Sequence, residues 1–155
     1  MKLQMIRLSN FQSFGAVPTE VALEEITYLI GPNGSGKTAA LQALCRLFAF
    51  DPSLRRILRS DFHVPFNEVT PPAERQLWIE ADFFFPELAE DKDNSTVAPH
   101  FGHMRLDEVN GTPRVRFRLT ATMGVDGDIE ENMVYVLDIN ADGSPLTIAQ
   151  VPRSE

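Results

Sequence analysis

The sequence has few of the residues that define several protein classes. It contains one cysteine, Cys45, so no disulfide can form within the chain, which is typical of reducing compartments. No apolar run approaches the length that crosses a membrane, and Met1 to Gln4 begin a strand pattern rather than a secretory leader. We therefore expect a cytoplasmic protein without membrane contact, in which Cys45 is a small residue of the core.

Basic residues are also scarce. The 155 residues include 14 lysines and arginines against 22 acidic residues, which gives a formal charge of −8. Because such a surface repels a nucleic-acid backbone over much of its extent, any contact with nucleic acid is expected mainly through other parts of a larger protein. The hydrophobic fraction of 43% is ordinary for a globular domain.

The chain does contain a phosphate-binding motif that fits G-x-x-x-x-G-K-[ST] at every fixed position. The motif consists of Gly31, Pro32, Asn33, Gly34, Ser35, Gly36, Lys37 and Thr38. Ile26 to Ile30 are predicted to form a short buried strand before it, and Ala39 to Phe50 a helix after it. Glycines let successive N–H groups turn inward around an anion, and a helix N-terminus adds further donors.

These features predict an ATP site. We expect Lys37 to contact the β- and γ-phosphates and the Thr38 hydroxyl to be one ligand of Mg²⁺. In the helix that follows, Leu41, Leu44, Cys45, Leu47 and Phe48 recur at helical spacing and are predicted to face the core.

The rest of the chain is predicted to be mostly strands. Two strands come before the motif, at Leu3–Leu8 and Thr19–Leu23, and a short helix capped by Ser53 follows the main helix. Later strands are predicted at Gln76–Phe85, Met104–Glu108, Arg114–Thr122 and Asn132–Asn140, followed by a tail. The fold class is therefore α/β, a P-loop NTPase with a mixed, largely antiparallel sheet around one helix.

The motif and its flanks resemble the N-terminal lobe of ABC-type ATPase heads, as found in SMC proteins, RecF and the overcoming-lysogenization-defect (OLD) nucleases. The residues that carry this resemblance are Ile6–Phe14 and Thr27–Thr38. Further stretches resemble the OLD-type ATP-dependent endonucleases in particular, namely Ser60–His63, Phe85–Leu88, His103–Glu108 and Arg116–Leu119.

The resemblance implies ATP bound with Mg²⁺ between two heads, hence a homo-oligomer of the full protein. It also implies a carboxy-terminal Toprim domain that cuts nucleic acid, in phage defence or DNA repair. Asn33 to Thr38 would hold the phosphates, and Asn10 to Ser13 would lie near the nucleotide. Gln12 stands where relatives commonly carry a basic residue, which is a departure from the family's pattern.

Parts of the ATPase machinery are missing from the sequence. Nothing after the motif matches a Leu-Ser-Gly-Gly signature or a Walker B strand ending in Asp-Glu. We therefore expect residues 1–155 to be a single N-terminal lobe, with a β-rich part at 76–151 and no catalytic residue of its own. Two alternatives stay open: a non-catalytic split lobe that joins a partner chain through ATP, and a small nucleotide kinase, whose lid arginines are not evident.

Overall fold

A computed structural model describes residues 1–86, 105–109 and 112–150 of the chain. The strands are β1 (Lys2–Ser9), β2 (Thr19–Ala22), β3 (Glu74–Phe84), β4 (Arg105–Val109), β5 (Thr112–Gly124), β6 (Ile129–Ile139) and β7 (Pro145–Gln150). The helices are α1 (Lys37–Phe48) and α2 (Pro52–Arg55), followed by a 3-10 turn at Arg59–Asp61. Parts of the OLD-like stretches, Glu87–Leu88 and His103–Met104, lie outside the described residues.

Seven strands form one sheet in the order β2-β1-β3-β5-β6-β7, with β4 beside the first residues of β5. All strand pairs among the described residues are antiparallel. The predicted architecture, a P-loop NTPase lobe whose largely antiparallel sheet surrounds one principal helix, is confirmed. No helix in the described ranges is both long enough and apolar enough to cross a membrane.

One face of the sheet packs on α1. Side chains of a strand alternate between the two faces, so Leu77, Ile79 and Ala81 of β3 point to the same side and are buried there. Helix α1 meets them through three alanines and a leucine, and these are Ala39, Ala40, Ala43 and Leu47. These helix residues share one hydrophobic core with the buried residues of β1, β3 and β5.

The predicted inner face of the helix was therefore wrong in part. Leu47 is buried and Leu44 is partly buried, but Leu41, Cys45 and Phe48 are exposed. Phe48 is partly exposed, although its ring contacts those of Phe83 and Phe117 on the sheet. The helix is apolar around much of its circumference, so the spacing of its large residues did not separate the buried side from the exposed one. Cys45 is consequently not a core residue of this chain.

The opposite face of the sheet carries charges that pair across strands. The β3–β5 register places Asp82 opposite Arg116 and Glu80 opposite Arg118. Asp82 is 1% exposed, and its carboxylate accepts hydrogen bonds from Arg116 Nε at 2.7 Å and Arg7 Nη1 at 2.9 Å. Burial alone would raise the pKa of Asp82, but these hydrogen bonds outweigh it and hold the pKa below its usual value.

Three other sequence predictions need correction. Ile26 to Ile30 do not form a buried strand, because the segment pairs with no strand in the described part of the chain and its apolar residues are largely exposed. The supposed tail instead contains β7, which pairs with β6. Helix α2 is capped by Asp51 rather than Ser53, since Ser53 N donates to Asp51 Oδ1 at 2.8 Å.

Candidate functional site

The loop between residue 30 and α1 depends on two glycines. Gly34 has φ +82° and Gly36 has φ +89°, in the left-handed region that residues with a side chain disfavour. A Cβ on Gly36 would lie 2.9 Å from Phe14 Cζ, whereas a Cβ on Gly34 would contact nothing within 4 Å. Gly36 is therefore needed for the backbone conformation and also for close packing against the loop after β1.

Lys37 is the first residue of α1, and its side chain folds back over the loop. Its Nζ donates to the carbonyl oxygens of Gly31 at 2.6 Å and Pro32 at 2.7 Å, and lies 3.4 Å from Ser35 Oγ. Gly36 at the N-cap supplies no side-chain hydrogen bond to the helix. The ammonium group and the uncapped helix N-terminus thus lie on the same loop, as in anion-binding turns.

A cavity of about 340 Å³ opens between this loop and the loop that follows β1. Its lining residues are Gln12, Ser13, Asn33, Gly34, Ser35, Gly36, Lys37, Thr38 and Ala39. Seven of the ten residues predicted to bind the cofactor are among them. Gly31 and Pro32 contribute their carbonyl groups to Lys37 instead. Asn10 is not part of the lining, and its backbone bonds to Gly15 and His63.

The arrangement suits a magnesium polyphosphate chemically. Thr38 is exposed at the cavity and offers one hydroxyl oxygen. In the described residues no group of three His, Cys, Asp or Glu side chains could hold a metal ion. Mg²⁺ prefers octahedral oxygen ligands, keeps several waters and is commonly bound through substrate phosphates. Thr38 together with phosphate oxygens and water therefore fits this ion, and the metal would neutralise phosphate charge there.

A larger cavity of about 870 Å³ lies elsewhere, beside β1, β2 and the end of β3. Its wall includes three cationic side chains, Lys2, Arg7 and Arg114, and three carboxylates, Glu24, Glu25 and Asp82. Formal charges of opposite sign cancel in this wall, so it has no net attraction for an anion. The smaller cavity, whose lining has one cation and no carboxylate, is the better phosphate site.

Sequence reasoning missed the residues that support this cavity. Arg46 of α1 is mostly buried and pairs with Asp61, whose carboxylate also contacts Gln12. Asp61 stands between Ser60 and Phe62 with no repeat or spacing that connects it to Arg46 or Gln12. Only the fold brings the three residues together.

Three features together define a P-loop NTPase domain. They are the phosphate-binding glycine loop, the helix α1 that follows it, and the antiparallel sheet packed on that helix. The chain belongs to the AAA ATPase domain family, whose model matches residues 1–109, more than half of its length. This membership supports ATP binding as the basic property of the chain.

The chain spans only part of the length of each relative that it matches. The chromosome partition protein Smc of Synechococcus sp. is 44% identical over 59 residues, which make up 38% of this chain and 5% of that protein. A solved structure described as "Structural biochemistry of ATP-driven dimerization and DNA stimulated activation of SMC ATPases" has a TM-score of 0.48 at 14% identity, covering 95% of this chain and 73% of the other. The SMC head domain from Thermotoga maritima has a TM-score of 0.46 at 18% identity, covering 95% and 39%.

Proposed function

We propose that this chain binds ATP with Mg²⁺ in the cavity lined by the glycine loop and the loop after β1. The observation that carries the proposal is the position of Lys37, which lines a cavity at the N-terminus of α1 and whose ammonium group is held by carbonyl groups of the same glycine loop. In this proposal backbone N–H groups of Asn33 to Lys37 surround the phosphates. Lys37 contacts the β- and γ-phosphates, and Thr38 is one ligand of the metal ion.

We further propose that the chain is the N-terminal lobe of an ABC-type ATPase head. Ile26, Tyr28 and Ile30 are 71%, 79% and 91% exposed, and Leu41 and Phe48 of α1 are exposed as well. Apolar side chains in such number are normally covered by other protein surface. Their exposure supports a further polypeptide segment that covers them, and in this proposal that segment also provides the acidic residue needed for hydrolysis.

The resemblance of the chain to OLD-type proteins favours an ATP-dependent nuclease as the complete protein. In that case a Toprim domain outside this chain cuts nucleic acid, and ATP controls the assembly of two heads. A non-catalytic split lobe is the second candidate, and the same exposed apolar surface favours it, because a separate partner chain would cover it equally well. Size-exclusion chromatography with and without ATP, alone and with candidate partner chains, separates the two.

Titration calorimetry of ATP in the presence of Mg²⁺ tests the core of the proposal. Removing a cation that contacts phosphate costs about 1.5–3 kcal/mol, so Lys37→Ala should weaken binding about 10- to 100-fold. Lys2→Ala is the matched control, because Lys2 is a surface lysine that pairs with Glu25 at 2.6 Å and does not line the proposed phosphate cavity. Equal affinity of wild type and Lys37→Ala, or absence of binding by wild type, contradicts the proposal.

The chain alone should hydrolyse ATP slowly. No Walker B acid is present to complete the metal site and orient a water molecule, and those groups make hydrolysis fast. A turnover on the order of 1 per second by the purified chain would show that the hydrolytic residues lie within it.

A further inference from the structure

The carboxylate of Asp61 joins helix α1 to the wall of the cavity. Asp61 is 0% exposed. Its Oδ1 accepts from Gln12 Nε2 at 2.9 Å, and its Oδ2 accepts from Arg46 Nε at 2.7 Å and from the backbone N of Leu58 at 2.8 Å. Both oxygens are therefore engaged, and one buried charge connects a residue of α1 with a residue that lines the candidate phosphate site.

The loop after β1 has a backbone conformation that needs support. Asn10 has φ +53° and Gln12 has φ +49°, both in the left-handed region that is unfavourable for residues other than glycine. Gln12 N donates to the carbonyl oxygen of Asp61 at 2.7 Å, and His63 N donates to that of Asn10 at 2.9 Å. The His63 ring nitrogen Nδ1 also donates to the Gln12 carbonyl oxygen at 2.7 Å. Residues 61–63 therefore hold this loop in place.

The same contacts determine which group Gln12 can offer to a ligand. A carboxylate is an acceptor only, so the amide nitrogen of Gln12, not its oxygen, must face Asp61. The second hydrogen of this nitrogen is donated to Gln42 Oε1 on α1. An amide nitrogen has two hydrogens, so no side-chain donor of Gln12 is left for a phosphate. Only the side-chain oxygen Oε1 of Gln12 remains for a bound water or hydrated metal ion.

Resting on the proposed ATP site, we propose that Asp61 is a positioning residue of that site. It fixes Gln12 and Ser13 over the glycine loop and turns the Gln12 amide donors away from the phosphates. Lys37 then remains the single cationic side chain in the cavity lining. Nucleotide affinity depends on Asp61 through Gln12, although Asp61 itself does not touch the ligand.

A double-mutant cycle with Asp61→Asn and Gln12→Ala tests this dependence. We expect each single variant to weaken MgATP binding about tenfold, the lower end of the loss seen when residues that orient metal ligands are replaced. The double variant should bind no worse than Asp61→Asn. The control is Glu80→Gln, which also neutralises a buried, arginine-paired carboxylate but lies on the far face of the sheet. It should lower the melting temperature and leave the ATP Kd within about twofold.

Amide hydrogen exchange of the nucleotide-free protein supplies a readout that does not need ATP. The Gln12 N–H, bonded to the Asp61 carbonyl oxygen, should exchange faster in Asp61→Asn and keep its protection in Glu80→Gln. Unchanged ATP affinity in Asp61→Asn, or independent, multiplicative losses in the cycle, overturns the proposal. If Asp61→Asn does not fold, an unchanged ATP affinity of Gln12→Ala is by itself enough to overturn the proposal. If wild type binds no ATP, the proposed function fails, while the exchange experiment still decides the positioning role.

Discussion

Strand β3 and the segment 26–30 both carry large apolar side chains, but only those on one face of β3 are covered. β3 pairs with β1 on one edge and β5 on the other, and its residues Leu77 and Ile79 are buried against α1. The segment 26–30 is more apolar than β3, but it pairs with no strand among the described residues, and Ile30 is almost fully exposed. Apolar composition therefore predicts that a segment will be buried, but it does not predict whether residues of this chain or of another polypeptide segment bury it.

The sheet and the glycine loop that follows residues 26–30 also differ in the partners of their charged side chains. On the sheet, Asp82, Glu80 and Arg116 are buried and satisfy one another across strands. At the glycine loop, the charge of Lys37 is paired with carbonyl groups and borders an open cavity. Substitutions in the sheet should therefore change stability with little effect on ATP binding, whereas substitutions at the loop should change ATP binding more than stability.

The largest effect is expected from Asp82→Asn. The change removes the negative charge between Arg116 and Arg7 and leaves the buried Arg116 guanidinium without its nearest carboxylate. Breaking a buried ion pair in this way costs about 3–5 kcal/mol. Urea unfolding should show this loss, and the remaining folded protein should bind ATP as wild type does. A decrease in the free energy of unfolding below about 1 kcal/mol would show that the ion pairs on the sheet are not essential for stability.

The pH dependence of stability is the control for this variant. Because the pKa of Asp82 is lower in the folded state, the unfolded state binds more protons in acid, and stability rises with pH there. The contribution of Asp82 is complete above its unfolded pKa, about 3.9, and is lost as the pH falls through the folded pKa. Asp82→Asn should therefore lose less stability than wild type when the pH is lowered below about 4.

An intermediate effect is expected from Gly36→Ala at the glycine loop. An alanine there would have to adopt a left-handed backbone conformation, and its Cβ would clash with Phe14. Together these should destabilise the present loop conformation by about 1–3 kcal/mol. The loop after β1 would have to shift, so ATP binding should weaken about tenfold or more. Gly34→Ala is a matched control, since it has a similar φ but no neighbour within 4 Å. Equal ATP affinities of the two variants would show that the contact between the loops does not shape the site.

Much of the sheet could be predicted from the sequence, because alternation within Gln76–Phe85 and Arg114–Thr122 reports directly on two-sided strands. The glycine loop was also predictable, since its residue types are needed for local backbone reasons. The buried face of α1 was not, because apolar residues occur on several of its sides. The link from Asp61 to Gln12 and Arg46 was not predictable either, since it joins three separate segments through tertiary contacts.

The smallest effect on stability is expected from Ile30→Ser, in the uncovered segment. Ile30 loses almost no buried area on this change, so the free energy of unfolding should stay within about 0.5 kcal/mol of wild type. Ile79→Ser is the matched control, because Ile79 is fully buried and its loss from the core costs several-fold more. In a longer protein that includes a segment covering residues 26–30, Ile30→Ser should become destabilising as well. A large loss in the isolated chain would mean that the chain itself already covers Ile30, and the contrast between this segment and β3 would disappear.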